Sequence, residues 1–166
     1  MNFDVEESNN TGLTVSPYVS DNIYPLLPLL SEEFPNWTIK KIKNYVNLVI
    51  TKKDNVSGML VAKNASQYNV GFLIYTFQSV SSKYLYNNSK EEFSAGLVVE
   101  NLVASSPILK QQIYLTLVEF AMSIGKKNNC KFIELPKLDE TYKLINVKYN
   151  SQIIKINDFR TAIDLF

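Results

Sequence analysis

The stretch from Gly96 to Leu135 constrains the fold of this chain more than any other. Leu97 to Ala104 is a β-branched run interrupted only by Glu100 and Asn101, too short for a helix and flanked by Gly and Ser, so it reads as a strand. Ser106 and Pro107 supply an N-cap and a first helical residue. Leu109, Ile113, Leu117, Phe120 and Ile124 then recur at helical spacing and turn one stripe toward a core. Asn128-Asn129 offers a left-handed stop, and Cys130 to Leu135 forms a second strand. A strand-helix-strand unit of this length implies parallel strands joined by a right-handed crossover. Its helix opens at the carboxyl end of the first strand, where backbone N–H groups make an anion site. That position suggests a phosphate-bearing ligand.

The rest of the chain arranges itself around this unit. Met1 to Thr11 reads as a frayed lead-in, and Leu13 to Val19 as a strand placed at an edge by Pro17. Asp21 can cap a helix over 22–34, which Pro28 should bend or break. Pro35-Asn-Trp is a turn. Thr38 caps a second helix with Ile39, Ile42, Tyr45 or Val46, and Val49 on one face, and Lys40, Lys41 and Lys43 off it. Ser57 to Lys63 and Val70 to Val80 form a hairpin, the second strand apolar on both faces and so expected near the centre of a sheet. Ser81 to Phe93 is a polar insertion, either a plain loop or a lid. Ser151 to Ile156 and Arg160 to Leu165 form strands across the turn pair Asn157-Asp158. No repeat or linker divides the chain, so residues 1–166 read as a single domain.

Two segments carry a family resemblance. Val99-Glu-Asn-Leu-Val-Ala104 and Lys126-Lys-Asn-Asn-Cys-Lys-Phe-Ile-Glu-Leu135 resemble the fourth and fifth strands of the GNAT superfamily of acyl-CoA N-acyltransferases, at a spacing that needs no gap. Asn69-Val-Gly-Phe resembles the family's third strand, and Tyr142-Lys-Leu-Ile-Asn-Val147 its Tyr-Glu-x-x-Gly-Phe segment, with Asn146 in place of Gly at a helix end. The resemblance implies an α+β fold of α/β/α layers: a mixed, mostly antiparallel sheet with a parallel central crossover and helices on both faces. The family's pyrophosphate loop, Arg/Gln-x-x-Gly-x-Gly/Ala, is altered here. Leu109 stands at the Arg position, Lys110 and Gln112 where the family has Gly, and Tyr114 where it has Gly or Ala.

Composition removes whole classes of chemistry. Histidine is absent, which excludes an imidazole base, a Ser-His-Asp triad and His-rich metal sites; Cys130 is the only cysteine, which excludes an internal disulfide and Cys-rich zinc sites. At the start of a core strand Cys130 reads as a buried, inert thiol. A net charge of +1 gives no case for nucleic acid or an anionic membrane surface. No apolar run approaches the ~18 residues that span a bilayer, and the polar, acidic start is unlike a signal peptide, so cytoplasm is the default location.

By resemblance, the reaction is attack of an amine on the thioester of acetyl-CoA, a cosubstrate, with no metal. The acceptor would be a small-molecule or peptide amine, and a homodimer stays open. Backbone amides at Leu102, Val103 and Ala104 would hold pantetheine and the oxyanion. The segment Leu109, Lys110, Gln111, Gln112, Ile113 and Tyr114 would face the pyrophosphate, with the Lys110 ammonium and the Gln111 and Gln112 amides as replacements for lost glycine amides. Tyr142 is the candidate acid for the leaving thiolate. Glu100 and Glu134 are the candidate bases; Glu100 interrupts an apolar strand, where an unpaired carboxylate is costly unless it is paired or faces solvent. A second reading, a catalytically silent member that uses the same scaffold to bind a partner, stays open, because fold alone does not decide function.

Overall fold

Apolar alternation sets the strand pairing in the computed structural model, which describes residues 12–51, 56–81 and 93–165. Among these residues seven strands form one sheet: β1 (Thr14–Pro17), β2 (Ser57–Lys63), β3 (Asn69–Ser81), β4 (Phe93–Ala104), β5 (Phe132–Pro136), β6 (Ile153–Lys155) and β7 (Arg160–Asp164). Their spatial order is β1-β2-β3-β4-β5-β7-β6. Every neighbouring pair is antiparallel except β4 and β5, the parallel pair at the crossover. The α+β, mostly antiparallel architecture expected from the sequence is therefore the one observed.

Helices cover both faces. On one lie α1 (Leu27–Glu33) and α2 (Ile39–Thr51), which pack Leu29, Leu30, Ile42, Val46 and Val49 against Met59, Val61, Phe72, Ile74 and Val103. On the other, α3 (Lys110–Lys127) lays Ile113, Leu117, Val118 and Ala121 over Leu60, Leu73, Leu97 and Val99, and the short α4 (Lys143–Lys148) adds Ile145. The buried face of α3 also includes Tyr114 and Met122, wider than a single stripe.

Several boundaries differ from the sequence expectation, each for a local reason. The helix expected over 22–34 is a 3-10 turn, Tyr24–Leu26, followed by α1. Pro25 and Pro28 each sit in the first positions of their own segment, where the missing N–H costs nothing, so the chain restarts at each proline instead of kinking. Asp21 does not cap this turn: its N-cap is Ile23, which makes no side-chain capping bond. Thr38 does cap α2, its Oγ1 accepting from the Lys41 amide at 3.2 Å, but Ile39 is exposed and not part of the packed face. Pro107 is not the first helical residue. Pro107 to Leu109 form a turn, closed by the Leu109 amide donating to Ser106 Oγ at 3.3 Å, and α3 starts at Lys110. Asn146 lies inside α4, not at a helix end. At the close of α3, Asn129 takes φ of 59°, the left-handed stop its sequence suggests. The lid expectation falls on residues 82–92, outside the described residues; Ser81 and Phe93, which flank them, are paired.

Candidate active site

A single extra residue in β4 organises the site. Along the β3–β4 ladder Tyr75 pairs with Val99 and Ile74 with Asn101, so Glu100 has no partner and forms a β-bulge. The bulge reverses the alternation of the strand. Leu97 and Val99 pack in the α3-side core; beyond Glu100 that face belongs to Leu102 and Ala104, and Asn101 and Val103 turn toward α1 and α2. Pairing to β5 stops at the same place: the last β4–β5 pair is Val98 with Glu134. Past it the two parallel strands separate and leave a wedge.

The free edge of β4 can be read from the ladder. The Ser105 amide donates to the Val70 carbonyl at 2.9 Å, so by antiparallel alternation the amides of Asn101 and Val103 face β3 as well. Those of Leu102 and Ala104 face the wedge. Of the three residues expected to offer amides, Val103 therefore offers none, and its side chain is core on the α1–α2 side.

Carboxylates and phenols gather around this wedge. Glu100 is exposed, its Oε1 accepting from Thr76 Oγ1 at 3.3 Å and Gln78 Nε2 at 3.4 Å. Asn101 takes a hydrogen bond from the Tyr45 hydroxyl of α2 at 3.1 Å and donates to Glu33 at the end of α1 at 3.2 Å. Burial raises the Tyr45 phenol above its ordinary pKa, with the charges of Glu100 and Glu33 adding to it. Phe34 and Trp37 stack with centroids 4.4 Å apart, and each meets the Tyr45 ring edge-on at 5.6 Å, which fixes the α1–α2 junction beside the site.

Tyr142 ends the 3-10 turn Glu140–Tyr142, which Asp139 caps by accepting from the Thr141 amide at 2.9 Å. Its ring lies 4.9 Å from that of Tyr114 on α3. Burial pushes the Tyr142 phenol up, Asp139 and Glu33 push it further, and the nearby Arg160 guanidinium opposes them. Tyr114 is raised to about 12, by burial first and then by Tyr142 and Glu33. Both phenols therefore carry their protons at neutral pH.

Glu134 is almost fully enclosed, and its Oε1 accepts from Arg160 Nε at 3.0 Å. The same guanidinium donates through Nη2 to the Val99 carbonyl at 2.7 Å. Glu134 thus enters the site as half of an ion pair. Glu100, whose donors among the described residues are the neutral Thr76 and Gln78 side chains, is the more accessible carboxylate.

At the start of α3, the amides of Lys110, Gln111 and Gln112 make no hydrogen bond among the described residues, and no acidic side chain lies in this first turn. Lys110 is exposed, its Nζ 6.0 Å from the Tyr114 ring centre. Four of the other residues expected to face a pyrophosphate are engaged elsewhere. Leu109 and Ile113 pack on the core, Tyr114 is only 5 % exposed, and Gln111 bridges to the Tyr142 turn, donating to the Thr141 carbonyl at 2.7 Å and accepting from the Leu144 amide at 3.3 Å. Ile113 and Tyr114 are buried in the core under α3, and Gln112 is half-buried.

Glu33, Tyr45, Asn101 and Arg160 were not found by sequence reasoning. Arg160 carried one visible signal: it is the chain's only arginine, every other basic side chain being lysine.

No protein-family model matches the chain, and no curated protein matches it by sequence. Solved structures do. An aminoglycoside antibiotic 6'-N-acetyltransferase from Acinetobacter baumannii shares 18% identity, with 84% of this chain and 88% of that one covered and a TM-score of 0.58. The NatC complex bound to Gag peptide and CoA aligns at 12% identity, 93% and 99% coverage and a TM-score of 0.62. An acetyltransferase of the GNAT family from Staphylococcus aureus Mu50 aligns at 13% identity, 93% and 99% coverage and a TM-score of 0.58. With its bulged β4, the parallel β4–β5 pair and the wedge between them, this chain has the fold of the GNAT acetyltransferases.

Proposed function

We propose that the chain is an acetyl-CoA-dependent N-acetyltransferase that acts on a primary amine of a small molecule or peptide. The observation that carries this reading is the wedge: β4 leaves β5 at a bulge, and a protonated tyrosine, an accessible carboxylate and free backbone amides lie around the opening. Solved neighbours of the same fold bind coenzyme A or an analogue of it. In this chain the Leu102 and Ala104 amides supply donors for the pantetheine arm and the thioester oxygen. The unpaired amides of Lys110 to Gln112, with the Lys110 ammonium, supply positive charge for the phosphates.

The chemistry then needs three proton movements. Glu100 takes a proton from the acceptor ammonium, directly or through water. The free amine attacks the thioester carbonyl, forming the C–N bond; the tetrahedral intermediate loses its second nitrogen proton to water, and the C–S bond breaks as it collapses to the neutral amide. Tyr142 donates its proton to the departing thiolate and recovers one from solvent. A phenol near or above pKa ~10 is a weaker acid than a thiol of pKa ~8.5, so this donation works over a short hydrogen bond and not as free ionisation. Glu134, held by Arg160, supports the site and is the second candidate base.

The test is thiol release from acetyl-CoA across a panel of primary amines that includes polyamines, aminoglycosides and amino-terminal peptides. Amine-dependent release that falls in Tyr142→Phe is the expected result. Coenzyme binding with no release for any amine would favour the second reading, a silent binding scaffold, which the side chains at the family's glycine positions, Lys110 and Gln112, support.

A further inference from the structure

Arg160 opens β7 opposite Pro136 of β5. Its side chain runs diagonally along that face to Glu134, which itself lies opposite Val98, the last residue of β4 paired to β5. It ends on the carbonyl of Val99, the first residue beyond that pair. One side chain thus reaches from β7 across β5 to β4 and gives the first unzipped carbonyl of the wedge the donor that a continuing strand would have provided. With a side chain 24 % exposed, Arg160 uses Nε and one N–H of Nη2 in these contacts. Its other guanidinium N–H groups have no partner among the described residues.

We propose that Arg160 is the positioning residue of the transfer site, fixing the apex of the wedge at Val99 and holding a cation beside the place where the coenzyme sulfur departs. This rests on the acyl-CoA reading above. A lysine would not serve in the same way. The planar fork can donate to a carboxylate and a carbonyl at once, whereas an ammonium is a compact point charge. The carboxylate in contact with Arg160 is Glu134 of β5, and the charges that act on the neighbouring Tyr142 phenol are Asp139, which caps its 3-10 turn, Glu33 of α1 and Arg160 itself. Arg160 is the one cation among them, and its charge bears on the Tyr142 phenol. The guanidinium therefore offsets the Glu134 carboxylate and opposes the acidic charges at the Tyr142 phenol, where a thiolate has to form.

A fastener with no other role would change stability alone, so the experiment reads ionisation of the bound coenzyme. Coenzyme A is bound to the wild-type chain and its thiol titrated by thiolate absorbance between about pH 6 and 9.5, below the tyrosine range. The blank is the same complex with S-methyl coenzyme A, which cannot ionise. The comparison variant is Arg160→Gln/Glu134→Gln, which keeps hydrogen-bonding groups and removes both charges. Arg160→Lys is the conservative rescue, with thermal unfolding recorded for each.

The expected result is a bound thiol at least tenfold more acidic in wild type than in the double variant, with Arg160→Lys recovering part of the difference. If the double variant does not fold, Arg160→Lys carries the test. It should retain the acidic thiol but raise the KM for acetyl-CoA, and an unchanged KM would overturn the positioning role. Equal thiol titration in wild type and a folded double variant that still binds coenzyme A would overturn the inference alone. Failure of wild type to bind coenzyme A would overturn the acyl-CoA reading and the inference with it.

Discussion

Gly71 sits where β3 passes beneath the first turn of α3, so Gly71→Ala tests whether the helix that opens the site is seated as described. A Cβ at this position would lie 2.6 Å from Ile113 Cγ2, 2.6 Å from the Val103 carbonyl oxygen and 3.3 Å from Leu117 Cδ1. The first two are about 0.8 Å inside ordinary contact. Neither neighbour yields easily. Ile113 is fully buried in α3, and the Val103 carbonyl belongs to the strand paired with β3. The cost expected for forcing one methyl into such a core is about 1–3 kcal/mol, a loss of roughly 2–12 °C in melting temperature for a chain of this size.

Gly58→Ala is the matched control. Its Cβ would meet the far end of the Tyr75 side chain, with Cζ at 2.6 Å, and that half-buried ring can swing aside. Its cost should stay below about 1 kcal/mol, reduced further by the smaller entropy of the unfolded Ala chain. Thermal melts and urea midpoints measure both variants. Equal losses in the two, or none at Gly71, would refute the close seating of α3 on β3. If the seating is correct, Gly71→Ala should also weaken coenzyme binding, because relieving the clash moves the amides of Lys110 to Gln112.

Three further outcomes are expected. Tyr142→Phe should lower turnover roughly 10²–10⁴-fold with little change in coenzyme affinity, measured by thiol release and calorimetry, and full activity would remove Tyr142 as the acid. Lys110→Ala should weaken coenzyme A binding about three- to fivefold at low salt and less at high salt, and no change would reject a contact between its ammonium and phosphate. The Tyr114 phenol is raised to about 12 in the folded chain, against ~10 in the unfolded one, so the stability it confers is intact below about pH 10 and lost as pH rises toward 12; alkaline unfolding monitored by circular dichroism should be less steep in Tyr114→Phe, and an identical profile would contradict the assignment.

The elements of this fold were legible where periodicity and punctuation agree. The long apolar face of α3, the Asn129 stop and the parallel pair that flanks the helix follow from residues close in sequence. The restart of α1 was half legible, since two prolines announced an irregularity whose form depends on where each segment begins. The bulge was not legible. It is a mismatch in residue count between β3 and β4, and it appears only when both strands are laid side by side, although Glu100 marked the spot as a polar residue in an apolar run. The bond from Asn101 to Glu33 and the reach of Arg160 to Val99 join residues 68 and 61 positions apart, so no local pattern encodes them. The segment from Leu109 to Tyr114 was read as one ligand-facing loop because a gapless comparison treats its residues alike. In the helix their directions rotate by about 100° per residue, which leaves Lys110 outward and buries Ile113 and Tyr114.

The central claim, that the wedge and the start of α3 form a coenzyme site without the usual glycines, is tested most directly by calorimetric titration of the purified chain with acetyl-CoA, coenzyme A and a dephosphorylated analogue. The account predicts micromolar binding, about −8 kcal/mol, that weakens as phosphates are removed. No heat of binding at millimolar ligand would contradict it.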